Sequence, residues 1–98
     1  PYSGKLPGGR LDMTPVVIKA GQSSGVVKHN GEEVLFMTQG EIELYLYEDS
    51  RDETTTQPLI LKEGDTAHFF TSIRHEGKNR NPNQDAKFLV IRSSKVFP

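Results

Sequence analysis

The stretch that decides the fold reads His29-Asn-Gly-Glu-Glu-Val-Leu-Phe-Met-Thr-Gln-Gly40-Glu-Ile-Glu-Leu-Tyr-Leu-Tyr47. Residues 34–38 are mostly apolar, and from residue 41 onward aliphatic residues alternate with glutamate or tyrosine. An alternation of period two is typical of a strand that buries one face. The stretch therefore predicts two β-strands, with a tight hairpin at Gln39-Gly40.

Similar patterns predict further strands outward from this stretch. They cover residues 15–19, 58–62, 66–70 and 87–92, whereas residues 48–57 form a polar loop and residues 71–86 are mostly polar, with no strand predicted. The last strand has a continuous apolar centre, Phe88-Leu-Val-Ile91, which predicts burial on both of its faces. No segment has helical periodicity. Short strands separated by turn signals predict an all-β fold, an antiparallel sandwich or barrel.

The composition restricts the possible functions. A chain of 98 residues is long enough for one domain with a modest core. It has no cysteine, which excludes disulfides, thiolate nucleophiles and cysteine-ligated metal centres. Its 12 Lys and Arg residues nearly balance 13 Asp and Glu residues, which argues against a polybasic nucleic-acid surface. No apolar run suggests a membrane span or a signal segment, so we expect a cytoplasmic protein with no membrane partner.

The predicted domain organisation is simple. The Pro- and Gly-rich residues 1–12 are expected to form an N-terminal arm or linker, and residues 13–98 a single β-domain. Gly21, Gly40 and Gly64 are assigned to turns, where glycine serves the backbone geometry rather than any chemistry.

The candidate metal ligands are His29, Glu33 and His75. Two imidazoles and one carboxylate can occupy one face of an octahedral divalent ion and leave positions open for a ligand. In an extended strand, His29 and Glu33 would lie roughly 13 Å apart at ~3.3 Å per residue. Asn30-Gly31 is a strong turn dipeptide that would bring them closer. Local register leaves open whether Glu32 or Glu33 faces inward.

Each of these residues also has an interpretation without a metal. His29 would flank a turn, and His75 would cap a loop. Glu33 would form an ion pair with Arg74 or Arg92, or would lie at the surface.

The order of these elements resembles the two motifs of the cupin superfamily. The first motif corresponds to Gly21-x5-Val27-x-His29-x3-Glu33-x6-Gly40, and the second to Gly64-x5-Phe70-x-Ser72-x2-His75-x3-Asn79. The resemblance implies a small antiparallel β-barrel, the double-stranded β-helix or jelly roll. It also implies a divalent metal (iron, manganese, nickel or zinc) held by His29, Glu33 and His75. Val27 stands where the first ligand histidine of the family usually lies, so the usual four-ligand set is excluded.

The opening Gly8-Gly-Arg-Leu-Asp-Met-Thr-Pro-Val-Val-Ile-Lys19 resembles that of cupin domains found at the C-terminus of helix-turn-helix (XRE-type) transcription regulators. The resemblance implies a sensory domain that binds a small anionic effector, forms a homodimer, and contacts DNA only through a segment outside this chain. An enzyme is the alternative. Iron-dependent phosphonate epoxidases are similar in having His-x3-Glu and one later histidine, which implies a mononuclear non-haem metal site.

Three further residues are candidate ligand contacts. Tyr45 alternates with core residues and is interpreted as a stacking wall of the pocket, or as part of the sheet surface or a dimer face. His68 lies between apolar neighbours and is a candidate pocket residue, with a core or surface position as the alternative. Phe70 is interpreted as a core aromatic that also lines the pocket.

Overall fold

The computed structural model describes residues 11–28, 31–47, 57–70 and 73–93, except for the side chain of Phe70. Seven strands occupy this part of the chain: β1 (Leu11–Ile18), β2 (Glu32–Gln39), β3 (Glu41–Tyr47), β4 (Leu59–Lys62), β5 (Thr66–Phe70), β6 (Arg74–Lys78) and β7 (Ala86–Ser93). All strand pairs are antiparallel. The predicted all-β jelly roll is confirmed. His29, residues 1–10 of the predicted arm and most of the predicted polar loop lie outside the described residues.

The strands form two sheets that pack face to face. One sheet has the order β1-β7-β2-β5, and the other has the order β4-β3-β6. Period-two alternation directs one set of side chains from each strand into the space between the sheets. The buried core consists of Ile18, Leu35, Met37, Ile42, Leu44, Leu61, Phe69, Ala86, Phe88 and Val90.

The predicted hairpin at Gln39-Gly40 is wrong. Strand β2 pairs with β5 and β7, whereas β3 pairs with β4 and β6, so the two strands belong to different sheets. The turn carries the chain across the sandwich. Gly40 has a φ of 77°, and a Cβ atom there would lie 3.1 Å from the backbone oxygen of Asp85. A glycine serves this corner because it tolerates both the positive φ and the close approach of the backbone.

Strand β6 was not predicted from the sequence. Its outward positions carry Arg74, Glu76 and Lys78, and its buried inward positions carry His75 and Gly77. A strand whose buried positions hold a histidine and a glycine has no apolar alternation. The usual sequence signal for a half-buried strand is therefore missing at the position that supplies a candidate functional residue.

Asn79 joins three segments just after β6. The side chain is buried, and its Nδ2 donates hydrogen bonds to the backbone oxygens of Ile18 (3.1 Å) and Gln84 (2.8 Å). Its Oδ1 accepts a hydrogen bond from the backbone N–H of Asn81 (3.0 Å), and its own backbone N–H donates to Gln22 O (2.9 Å). One amide thus connects the end of β1, the end of β6 and the approach to β7.

Candidate functional site

A cavity of about 130 Å³, partly open to solvent, lies between the two sheets. Its wall is mainly apolar and comprises Val16, Ile18, Val27, Leu35, Ile42, Leu44, Phe88 and Val90, together with Ser24 and Gly77. Three ionisable side chains complete it: Glu33, His75 and Arg92. A cavity of about 150 Å³ holds a molecule the size of benzene, so this one suits a ligand of a few heavy atoms.

Glu33 and Arg92 meet because their strands are in register. They are directly paired positions of β2 and β7, and both side chains line the cavity. Arg92 Nε lies 3.4 Å from Glu33 Oε2. Glu33 is buried, whereas the Arg92 side chain is 47% exposed. The sequence left open whether Glu32 or Glu33 faces inward, and the strand register shows that it is Glu33. Glu33 also forms the ion pair with Arg92 that the sequence offered as the alternative to metal ligation.

His75 is buried on β6 with a fixed ring orientation. Its Nδ1 lies 2.8 Å from the backbone oxygen of Ile73, and the ring meets Phe69 edge-on with centroids 4.9 Å apart. A carbonyl oxygen only accepts hydrogen bonds, so Nδ1 carries the proton. In the neutral ring the lone pair is therefore on Nε2. Histidines that bind a metal or an acidic ligand commonly have this arrangement, with the opposite nitrogen held by a backbone carbonyl.

The structure brings two of the three predicted metal ligands to one cavity. Glu33 and His75 both line it, and His29 lies outside the described residues. Within the described ranges, no group of three or more His, Asp or Glu side chains is placed to hold a metal ion. Imidazole nitrogen and carboxylate oxygen fit iron, manganese, nickel or zinc, so the residues present would supply two ligands of such an ion.

Two of the predicted ligand contacts lie on the outer faces of the sheets. The Tyr45 hydroxyl donates a hydrogen bond to Glu43 Oε1 (2.9 Å), outside the cavity. His68 Nε2 lies 2.9 Å from Glu32 Oε2 on the outer face of the four-stranded sheet, to which both residues belong, and is also outside the cavity. Strand alternation explains both positions, because the immediate neighbours of each residue point inward. The third predicted contact, the side chain of Phe70, lies outside the described part of the chain.

The sequence suggested Arg92 only as a possible ion-pair partner of Glu33, and not as a residue of the ligand site. It lies two residues after Val90 on β7, so period-two alternation alone places it on the inward face. Its inward position alone does not mark it as a site residue. The pairing with Glu33 does, and that pairing can be known only once the strand order β7-β2 is known.

The three glycines assigned to turns are found there. Gly21, Gly40 and Gly64 all adopt positive φ values (72°, 77° and 90°) at turns.

Hydrogen bonds on the outer face of β3 and β6 lower the pKa values of two glutamates, Glu43 and Glu76. The Arg80 side chain is the main cause of the lowered pKa of Glu43, and the Tyr45 hydroxyl adds to it. Burial alone would raise the pKa of Glu76, but hydrogen bonds from Ser23 and Tyr47 outweigh burial and lower it. Both carboxylates are therefore held in the charged form more firmly than in the unfolded chain.

The double variant Glu43→Gln, Glu76→Gln should weaken the acid sensitivity of the fold. A carboxylate with a lowered folded pKa contributes stability above its unfolded pKa, and this contribution is lost as the pH falls through the folded value. The wild-type free energy of unfolding should therefore fall more steeply than that of the variant between about pH 5 and pH 2. Urea titrations across this range measure both slopes. Equal slopes of the free energy of unfolding against pH for the two proteins would contradict the prediction. Glu63→Gln is the matched control, because Glu63 lies in an exposed turn.

Comparisons with known proteins agree with this fold. The family model described as "Cupin domain" matches residues 15–92. A search of curated proteins found no match. Among solved structures, a Bacillus halodurans protein superposes with a TM-score of 0.75 at 16% identity, covering 90% of this chain and 65% of the other. A cupin-2 domain protein from Shewanella frigidimarina gives 0.65 at 15% identity, with coverages of 86% and 71%. The cupin domain of Drosophila melanogaster CENP-C gives 0.70 at 16% identity, with coverages of 83% and 59%.

These likenesses concern the fold, and the chain spans only 65% and 59% of the Bacillus and Drosophila chains. Among the described residues, no helix is long and apolar enough to cross a membrane. The family match extends over most of the sequence, from β1 to β7. This chain therefore belongs to the cupin family.

Proposed function

We propose that this chain is a binding module for a small carboxylate, held in the cavity between the two sheets. The observation that carries the proposal is the position of Glu33, His75 and Arg92 in the wall of an otherwise apolar cavity. Ligand sites typically combine an apolar wall with a few converging polar groups that fix orientation. The cupin fold is compatible with such a role, and the residues of the cavity define its chemistry.

Arg92 is the proposed carboxylate contact. A guanidinium carries five N–H donors in a rigid fork, so it can bind a ligand carboxylate while Nε remains beside Glu33. Its side chain is 47% exposed, so the guanidinium is accessible to a ligand from solvent. His75 would supply a second polar contact through Nε2, and the aliphatic wall would pack against a short apolar tail. A cavity of about 130 Å³ limits that tail to a few carbon atoms.

A metal-assisted form of the same site is the second candidate, including the metal-dependent enzyme. The Nδ1 hydrogen bond of His75 to Ile73 O favours it, because it leaves Nε2 as the ligating nitrogen. Glu33 and His75 would hold the ion, with His29 as the proposed third ligand. A bound divalent ion would supply a positive charge for an anionic ligand or, in an enzyme, a Lewis acid. Arg92 has N–H donors beyond the Nε that lies beside Glu33, and these can bind a carboxylate without an ion, so direct carboxylate binding is the first candidate.

The proposed biological setting is the effector domain of a transcription regulator. Support for it comes from the resemblance of residues 8–19 to the opening of such domains. DNA contact would come from a segment outside this chain. A ligand that binds in the cavity should then change the DNA affinity of the full gene product, which a gel-shift titration with and without that ligand measures.

Titration with butyrate and butyramide tests the proposal directly. The two probes have nearly the same shape and differ in charge, so Arg92 should favour butyrate by at least ~10-fold, about 1.4 kcal/mol. Chemical shifts of backbone amides, followed by NMR, report both the affinity and the place of binding. The residues that shift should be those of the cavity wall. Equal binding of the two probes, or shifts confined to the outer faces, would contradict the proposal.

Arg92→Met should abolish the preference for butyrate while keeping most of the side-chain volume. Arg80→Met is the matched control, because Arg80 lies exposed on the outer face of the other sheet and outside the cavity.

Repeating the butyrate titration with added Mn²⁺ or Zn²⁺ distinguishes direct carboxylate binding from the metal-assisted site. Butyrate binding that appears only with the metal would favour the metal-assisted site over the direct one.

A further inference from the structure

The cavity between the sheets has a polar end. Glu33 is directly paired with Arg92 on β7, and both side chains line the cavity. On its other side Glu33 is paired with Phe69 of β5, whose ring meets the ring of His75 with centroids 4.9 Å apart. These contacts place the three ionisable side chains of the wall at the same end of the cavity.

The other end of the cavity is apolar, and Ile18 marks it. Ile18 is paired with Ala86, the first residue of β7, at the far end of that strand from the ion pair. A Cβ atom built at Gly77 would lie 3.1 Å from Ile18 Cδ1 and 3.7 Å from Ile42 Cδ1. All three of these residues line the cavity. Gly77 therefore belongs to the apolar end, two residues along β6 from His75.

Gly77 provides space rather than an unusual backbone conformation. The glycines in the turns adopt positive φ values, but Gly77 does not, so its backbone would accept a side chain. Its position faces inward, where a strand normally carries an apolar residue. Glycine weakens a strand because it has no side chain to pack, and it often marks a place where a ligand approaches closely. What this glycine supplies is room beside Ile18 and Ile42.

The backbone of Gly77 is held on both sides. Its N–H donates a hydrogen bond to Ser24 Oγ (2.9 Å), and its carbonyl oxygen accepts one from the Ser24 N–H (2.8 Å). On the other side β6 is paired with β3, where Leu44 lies opposite Gly77. Because the strand is fixed at both edges, a methyl group added at Gly77 would take its space from the cavity or from the Ile18 side chain.

We propose that Gly77 determines the length of the ligand that the cavity accepts. This inference rests on the proposed carboxylate site and deepens it. The carboxylate lies at the polar end beside Arg92, and the tail extends past Gly77 toward Ile18 and Ile42. Butyrate has as many heavy atoms as benzene, which fits a cavity of about 150 Å³. The ligand class is therefore a short, straight-chain carboxylate, and Gly77 is the specificity-determining residue.

Titration with straight-chain carboxylates from acetate to hexanoate measures the accepted length. The affinity of wild type should rise up to butyrate, by about 4-fold for each methylene group that enters the apolar end, and fall at hexanoate. Gly77→Ala should move the optimum to propionate, because its methyl group occupies the space of the last carbon of the tail. It should weaken butyrate binding at least ~4-fold. Chemical shifts of backbone amides, followed by NMR, give the dissociation constants.

Ile18→Val tests the same space from the opposite wall. It removes Cδ1, the atom nearest to the Cβ position of Gly77, and should move the optimum one carbon longer, to pentanoate. The double variant Gly77→Ala, Ile18→Val transfers a methyl group from one wall to the other, so it should return the optimum to butyrate. An optimum that stays at that of Gly77→Ala in the double variant would overturn the proposal.

Two controls separate a change of the cavity from a change of stability. Gly64→Ala strains a turn in which the glycine has a φ of 90°, but its Cβ would meet no atom within 4 Å, and Gly64 lies outside the cavity. Ile60→Val repeats the change made at Ile18 at an exposed position of β4. Both controls should keep the optimum at butyrate, and a shift in them equal to that of the cavity variants would overturn the proposal. Circular dichroism checks that each variant is folded. If Gly77→Ala does not fold, Ile18→Val carries the test, and an unchanged optimum in it would overturn the proposal.

The matching primary amides, from acetamide to hexanamide, distinguish failure of this inference from failure of the carboxylate site. The apolar end does not sense the charge of the head group, so Gly77→Ala should shift the optimum of both series. Such a shift without any preference for carboxylates would support the role of Gly77 and contradict the carboxylate site. A preference for carboxylates with the same optimum in wild type and Gly77→Ala would overturn the role of Gly77 and leave the carboxylate site standing. Binding of neither series would overturn both.

Discussion

Replacing Asn79 with alanine should lower the free energy of unfolding by about 3 kcal/mol, at roughly 1 kcal/mol for each of three lost hydrogen bonds. The amide donates to Ile18 O and Gln84 O and accepts from Asn81 N–H, in a position that is 2% exposed. Alanine leaves those backbone groups without these partners where water has little access. Urea denaturation followed by circular dichroism measures the loss.

Asn83→Ala is the matched control for this substitution. Asn83 is exposed, and the hydrogen bond it makes to Asn81 Oδ1 comes from its backbone N–H, which alanine retains. Its effect should stay within about 0.5 kcal/mol. Asn79→Asp keeps an acceptor for the Asn81 N–H but turns a carboxylate oxygen toward the backbone oxygens of Ile18 and Gln84, so it should destabilise the fold at least as much as Asn79→Ala. If Asn79→Ala were as stable as Asn83→Ala, the amide would not be joining the three segments.

Removing the imidazole of His75 should reduce the affinity of the proposed metal site at least ~100-fold, since even indirect partners of metal ligands contribute 10–100-fold. In His75→Gln, Glu33 would be the remaining proposed ligand among the residues that the structure describes. The measurement is a titration of chelator-treated, untagged protein with Mn²⁺ or Zn²⁺ by isothermal calorimetry, with elemental analysis of the purified wild type. Glu33→Gln should have an effect of the same order.

Glu63→Gln is the control for metal binding, because Glu63 lies in the exposed turn between β4 and β5. It should leave the affinity unchanged. Equal metal affinity in wild type and His75→Gln would place any bound ion elsewhere in the chain. Wild type that binds no metal after loading would end the metal-assisted candidate. Direct carboxylate binding through Arg92 would remain, because its test needs no metal.

Some features were predictable because they depend on local patterns. The alternation of Glu41–Tyr47 identified β3, and its inward residues Ile42 and Leu44 are buried as the pattern requires. The apolar centre of β7 identified that strand as well. Each of these signals lies within one short segment, and the hydrophobic effect acts on that segment wherever its partner strands come from.

Other features depend on which strands become neighbours. The turn at Gln39-Gly40 looks the same whether it closes a hairpin or carries the chain to another sheet, so its role was predicted wrongly. Strand β6 was missed because its inward positions hold His75 and Gly77, which give no apolar signal. The same histidine that made the strand difficult to recognise is the one that the fold turns toward the cavity.

The sequence by itself determined the strand-rich character, the absence of cysteine chemistry, and the two motifs that contain Glu33 and His75. These properties are local or compositional, and they survive any arrangement of the strands. Only the tertiary structure decided that Glu33 faces Arg92, that Tyr45 and His68 point away from the cavity, and that Gly77 lies beside Ile18 at its apolar end. The physical reason is register: a shift of one residue between paired strands would turn every side chain to the opposite face, and long-range pairing alone fixes that choice.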